Sequence, residues 1–169
     1  MGLFTSMQLN TLEDLFLCQI KDLYDAEQRL CKALPKMRDA AHEQPLKDAF
    51  DHHLRETERH VERLEEVFRT IGQEPKAETC DAMKGLITEG DHMISATGDP
   101  MVIDAGLIAA AQRVEHYEIA GYGTARTLAN RLGHTIAAEL LQDTLDEEAA
   151  ADRKLTAVAE AFANAQAPK

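Results

Sequence analysis

The chain has no tryptophan, and aromatic residues make up only 5% of it. Packing must therefore rest on Leu, Ile, Val, Met and Ala. Serine occurs only twice, at Ser6 and Ser95, and neither has the His and Asp context of an activated nucleophile. The cysteines Cys18, Cys31 and Cys80 are odd in number and form no CxxC pair. That excludes a disulfide framework or a structural zinc site, and leads us to expect thiols in a reducing cytoplasm. Basic charge is scarce: 18 Lys and Arg stand against 30 Asp and Glu, a net charge of −12. Nucleic acid and anionic membrane surfaces are poor partners for such a chain. The longest apolar run, Ala105 to Ala111, is too short to span a bilayer, and no signal peptide is evident. Met1-Gly2-Leu3-Phe4-Thr5-Ser6 fits a myristoylation pattern, but no polybasic stretch follows and we read it as a chance match. Alternating β-branched residues are absent, so no strand is expected, and with no strand there is no phosphate-binding Gly-rich turn. No HExxH occurs either.

What remains is helix. Apolar content is 44%, and Ala, Leu, Glu, Lys and Arg dominate. A length of 169 residues suits a single domain over 1–169. Thr11 followed by Asp14 marks a helix start, and Leu12, Leu15, Phe16, Leu23, Leu30 and Leu34 then keep helical spacing. Pro35 should kink this helix or end its regular part. Pro45 opens a second helix and Gly72 stops it. A short helix follows the Pro75 loop. Gly98-Asp99-Pro100 opens the third long helix, and Asn130 to Gly133 forms a tight turn before the fourth. The expected ranges are about 11–41, 45–71, 81–96, 100–130 and 134–163. Short connections make the first two long helices antiparallel neighbours, and likewise the last two. The stretch from Gln73 to Asp99 is long enough to travel the bundle, since a helix of that length spans roughly 40 Å. Two hairpins joined by one long crossover carrying a short fifth helix form a ferritin-like, all-α four-helix bundle.

Charged residues on the inward faces are the chemical signal. Glu115 and Glu118 lie three apart on a face shared with Ile108, Ala111 and Tyr122. Two acids cannot both stay ionised in a core without protonation, a basic partner or a metal. Glu27 falls on the stripe of Leu23, Leu30 and Leu34. Glu148 follows Leu141 and Leu145, with Asp152 one turn on and Glu147 leaning outward. On the second helix His53 and His60 flank Thr57, with Glu56 at the edge of the stripe. Glu27 lies fifteen residues before a turn near 42 and Glu56 fourteen after it; Glu115 lies seventeen before a turn near 132 and Glu148 sixteen after. At about 1.5 Å per residue each pair is nearly level. The other helices thus supply acids and a histidine, not bases, which favours metal. Such ligands suit iron or manganese rather than structural zinc. The plain alternatives are weighed beside this. A single Glu near a stripe is usually an edge residue. His42, His52, His60, His92 and His134 are taken as surface or turn residues, His116 as pointing aside, and Tyr24, Tyr117 and Tyr122 as core packing.

Leu23-Tyr24-Asp25-Ala26-Glu27, His53-Leu54-Arg55-Glu56-Thr57, Val114-Glu115-His116-Tyr117-Glu118-Ile119-Ala120 and Leu145-Asp146-Glu147-Glu148 resemble the YciF-type ferritin-like proteins. The resemblance covers nearly the whole chain. It implies a rubrerythrin-like bundle, often dimeric, linked to bacterial stress responses. Carried over residue by residue, it implies metal ligation by Glu27, His53, Glu56, Glu115, Glu118 and Glu148. The chain departs from the usual pattern twice: the second helix reads His53-x-x-Glu56, reversed, and Ala151 stands where the fourth helix would carry a histidine. The extra Glu118 resembles the carboxylate-rich site of rubrerythrins. No four-cysteine rubredoxin-like site is present, so an electron donor would be a separate partner.

Two readings of different class follow. One is a di-iron or di-manganese carboxylate protein of stress defence that turns over peroxide or dioxygen, with Glu56 and Glu148 as the best bridging candidates. The other is a non-enzymatic bundle that works by assembly or partner binding. Mini-ferritin storage is a weaker third. Leu9, Leu12, Leu15, Phe16, Leu17, Cys18 and Ile20 nearly encircle the start of the first helix, which predicts a homodimer covering that face or the connecting helix.

Overall fold

The computed structural model describes residues 8–168; the myristoylation-like pattern lies outside them. Those residues form helices and connections, with no strand among them. α1 spans Leu12–Ala40, α2 Gln44–Thr70, α3 Asp81–Ile94, α4 Pro100–Leu132 and α5 Thr135–Val158. α1 and α2 form one hairpin, α4 and α5 the other. α2 packs on α5 and α1 on α4, which closes the four-helix bundle, and α3 lies on α1 and α4.

Each boundary has a local cause. Thr11 and Asp14 form a reciprocal cap, with Asp14 N donating to Thr11 Oγ1 at 3.1 Å and Thr11 N donating to Asp14 Oδ2 at 2.9 Å. α1 runs on through Pro35 to Ala40. The ring removes one backbone donor, but Leu34 and Met37 on either side are buried and hold the last turn in place. Gly72 and Gly133 take positive φ after α2 and α4, where a side chain would be strained. α5 ends earlier than the sequence suggests. At Ala159 it widens into a π-helical segment, Ala159–Ala163, with one more turn at Asn164–Gln166.

Two polar anchors fix the connections. The buried carboxylate of Asp104 on α4 accepts from the backbone N–H groups of His42 and Glu43, each at 2.8 Å, and so ties the α1–α2 turn to α4. The crossover is pinned at Cys80. Its N–H donates to Asp25 Oδ2 at 2.8 Å, its sulfur accepts from Met83 N to cap α3, and Tyr117 bridges it to Asp22.

The apolar core falls into two clusters. One joins Leu30, Leu34, Phe50, Leu107, Ile108 and Leu155 with α3 residues such as Met83. The other joins Phe16, Ile20, Leu23, Leu64, Phe68, Tyr122 and Leu141. The residues between them along each bundle helix make a polar layer.

Candidate metal centre

Into that layer the structure brings Glu27 from α1, His53 and His60 from α2, Glu115 and Glu118 from α4, and Glu148 from α5. All six are buried. They divide into two groups whose facing atoms lie within 4.8 Å of one another. The first is His53, Glu115, Glu118 and Glu148; the second is Glu27, His60 and Glu148. Glu148 belongs to both. Its Oε1 lies 2.9 Å from His60 Nδ1 and its Oε2 3.7 Å from His53 Nε2. His53 Nε2 is also 3.3 Å from Glu115, and His60 Nδ1 is 3.4 Å from Glu27.

The layer is under-satisfied. Among the described residues, ten buried side-chain polar atoms lack a hydrogen-bond partner of good geometry, and nine belong to Glu27, His53, His60, Glu115, Glu118 and Glu148. Native interiors leave few such atoms, and a metal ion or ordered water could satisfy those gathered here. Both oxygens of Glu118 are among them.

The electrostatics of the layer follow from its burial and from the pairing of its imidazoles with its carboxylates. Burial, with the neighbouring carboxylates, raises Glu118 and Glu115 well above the usual carboxylate range, and His53 only partly offsets this for Glu115. Burial also raises Glu27, against the opposing pull of His60. Burial would lower His53, but Glu115, Glu56 and Glu148 outweigh it and hold the imidazole at about 10. Burial acts against His60 too, yet Glu148 and Glu27 lift it to about 11. Glu148 is the one member held low, because His60 and His53 overcome its burial.

Some expectations need correction. His60 is not a surface residue; it is fully buried and central to the second group. Its spacing was the available signal, since His53, Thr57 and His60 sit at i, i+4 and i+7 on one face. Glu56, expected as a ligand and a bridge, enters neither group. It stays at the margin, 3.7 Å from His53 Nδ1 and 3.2 Å from the exposed His52, because its helical phase leaves it at the stripe edge. Tyr122 does more than pack, for its hydroxyl donates to Glu27 Oε1. Glu147 leans outward as expected, yet it accepts from His60 Nε2 at 2.8 Å while Arg63 grips it through two nitrogens at 2.6 and 2.9 Å. That Arg63 contact first, then His60, holds Glu147 down at about 2 against its partial burial. Asp152 lies outside the layer and accepts from Gln112 at 3.0 Å.

The comparisons with known proteins agree with the fold. The family model described as "Domain of unknown function (DUF892)" matches residues 11–168. Protein YciF of Escherichia coli (strain K12) is 47% identical over 154 residues, covering 90% of this chain and 93% of its own. The crystal structure of that stress protein superposes with a TM-score of 0.87, covering 89% of this chain and 96% of its own. YcfI of Rhodopseudomonas palustris, described as a presumed structural protein, is 43% identical with a TM-score of 0.86 over 92% of this chain and 98% of its own. A Xanthomonas campestris protein at 20% identity and a TM-score of 0.68 shares the fold. The chain belongs to the DUF892 family, among the relatives of YciF.

Proposed function

We propose that the polar layer binds two divalent metal ions, iron or manganese, and that the protein serves bacterial stress defence through peroxide or dioxygen chemistry. The observation that carries this reading is the sorting of six buried acids and imidazoles into two groups around Glu148, with both oxygens of Glu118 and one each of Glu27 and Glu115 lacking a hydrogen-bond partner. His53, Glu115 and Glu118 would hold one ion, Glu27 and His60 the other, with Glu148 between them. Charge supports the count. Glu27, Glu115, Glu118 and Glu148 together carry −4 when ionised, and two divalent ions carry +4 with both imidazoles neutral. Carboxylates with imidazole and no thiolate suit iron or manganese. When bound, such a pair supplies one electron per ion to an oxidant.

The chain's own groups would do the rest. Glu147 accepts the Nε2 proton of His60 and turns Nδ1 toward the layer. Tyr122 donates to Glu27 and fixes its second oxygen inward. The two apolar clusters cover the layer along the bundle axis, and its access lies at the side, past His53 and Glu115. The Escherichia coli relative YciF is a stress protein, which supports the physiological setting.

The presumed structural role of the Rhodopseudomonas relative favours a second reading, in which the bundle acts by assembly alone. Elemental analysis of the purified and reconstituted protein separates the two. The first predicts about two ions per chain, lost in an E115A/E118A double variant that still folds. No bound iron or manganese under either condition favours the second.

A further inference from the structure

A cavity of about 380 Å³ lies between α2 and α5 and reaches the polar layer. Its rim carries the exposed side chains of Asp48 and Lys154. Phe50, Ala151 and Leu155 form apolar walls. At its inner end are His53 and Glu115, both buried and both members of the first group. Neither ring nitrogen of His53 has a hydrogen-bond partner, and neither does Glu115 Oε2. His52 and Glu56 also line it, so ionisable side chains stand at the rim, on the α2 side and at the inner end, while Ala49, Phe50, Ala150, Ala151 and Leu155 supply most of the apolar wall.

Its size narrows the occupant. Dioxygen and hydrogen peroxide are close to water in volume, and one water fills about 30 Å³. A space of this volume falls in the range of small-molecule sites, roughly 300–1,000 Å³. Apolar walls favour hydrocarbon and gain little from hydrogen peroxide. Ala151 helps to leave the space, because it lines the cavity with a small side chain.

We infer that this cavity binds an organic hydroperoxide, R–O–OH, with a compact apolar R group along Phe50, Ala151 and Leu155 and the peroxide end at His53 and Glu115. The inference rests on the dinuclear reading of the layer and adds the substrate class. In the reaction the O–O bond breaks and takes up two electrons and two protons, giving R–OH and water. Two divalent ions held by the layer would supply the electrons, one each, and solvent would supply the protons. A single turnover then needs no other reductant.

The test uses the full chain and cumyl alcohol (2-phenyl-2-propanol), an unreactive mimic of reduced cumene hydroperoxide. Calorimetric titration should show saturable binding to the wild type. A151F and A151L, which fill the cavity from a half-exposed wall position, should bind at least about tenfold more weakly. Melting curves check that each variant folds, and elemental analysis should show unchanged metal content. In single turnover with the ferrous protein, both variants should slow cumene hydroperoxide at least about tenfold. No saturable binding to the wild type, equal affinity in all three proteins, or an unchanged cumene hydroperoxide rate in both variants would overturn the inference. A wild type that takes up no metal overturns the dinuclear reading instead, and the calorimetry still decides whether the cavity binds the alcohol.

Discussion

Glu118 carries the sharpest local conflict, with two buried oxygens and no hydrogen-bond partner. Its folded pKa is raised above the unfolded value by burial first and by Glu27, Glu148 and Glu115 next. Its contribution to stability is therefore fully present below about pH 4.5 and is lost as pH rises toward the folded value. Metal-free E118Q should melt higher than the metal-free wild type at pH 7 and about equally at pH 4.5. A 169-residue chain gains roughly 2–4 °C per kcal/mol. Calorimetry in chelator checks this, and an equal or lower melting point for E118Q at pH 7 would contradict it. Glu147 offers the complementary case. It touches His60 rather than the layer, so E147A should weaken metal binding about 10- to 100-fold, while E147Q keeps an acceptor and weakens it less. Competition with a chromophoric chelator measures both, and unchanged affinity in E147A would show that His60 needs no such support. The acids Glu27, Glu115, Glu118 and Glu148 were legible because helical phase and distance from the turns placed them. His60 was legible only in part: it shares the stripe with His53 and Thr57, but a lone histidine defaults to the surface, and that default hid its place in the layer. Glu56 came from the family resemblance, while its helical phase already put it at the stripe edge, where the structure leaves it outside both groups.

At the scale of elements, the hairpins and the crossover followed from caps, glycines and connection lengths. Thr11, Asp99 and Gly133 sit at the expected boundaries. The π-helical end of α5 was not legible, since Ala-rich sequence fits either helix form. Nor was the long-range clamp at Asp104, because a carboxylate sixty residues away from the turn leaves no periodic trace. That clamp makes a prediction. D104A would leave the N–H groups of His42 and Glu43 without their acceptor, at about 1–3 kcal/mol for each that stays buried. Urea unfolding should show a lower midpoint with the same slope, whereas an unchanged midpoint would mean that water replaces the carboxylate.

At the scale of the molecule, no helix among the described residues is long and apolar enough to cross a membrane. Leu9 and Leu12 at the start of α1 remain 46% and 44% exposed, and Val102 and Ile136 are exposed as well. We propose a twofold dimer that covers the outer face of α1 or α3. Light scattering at micromolar concentration should give twice the chain mass of 18.7 kDa; a monomer mass, or an interface made only by α5, would defeat the proposal. The central claim concerns the layer itself, where two apolar clusters enclose four carboxylates and two imidazoles. Anomalous scattering from crystals of the iron- or manganese-loaded protein, recorded on both sides of the metal absorption edge, tests it most directly. The account predicts two peaks per chain, one beside His53, Glu115 and Glu118 and one beside Glu27 and His60, with Glu148 between them. A loaded crystal with no anomalous density in that layer would contradict it.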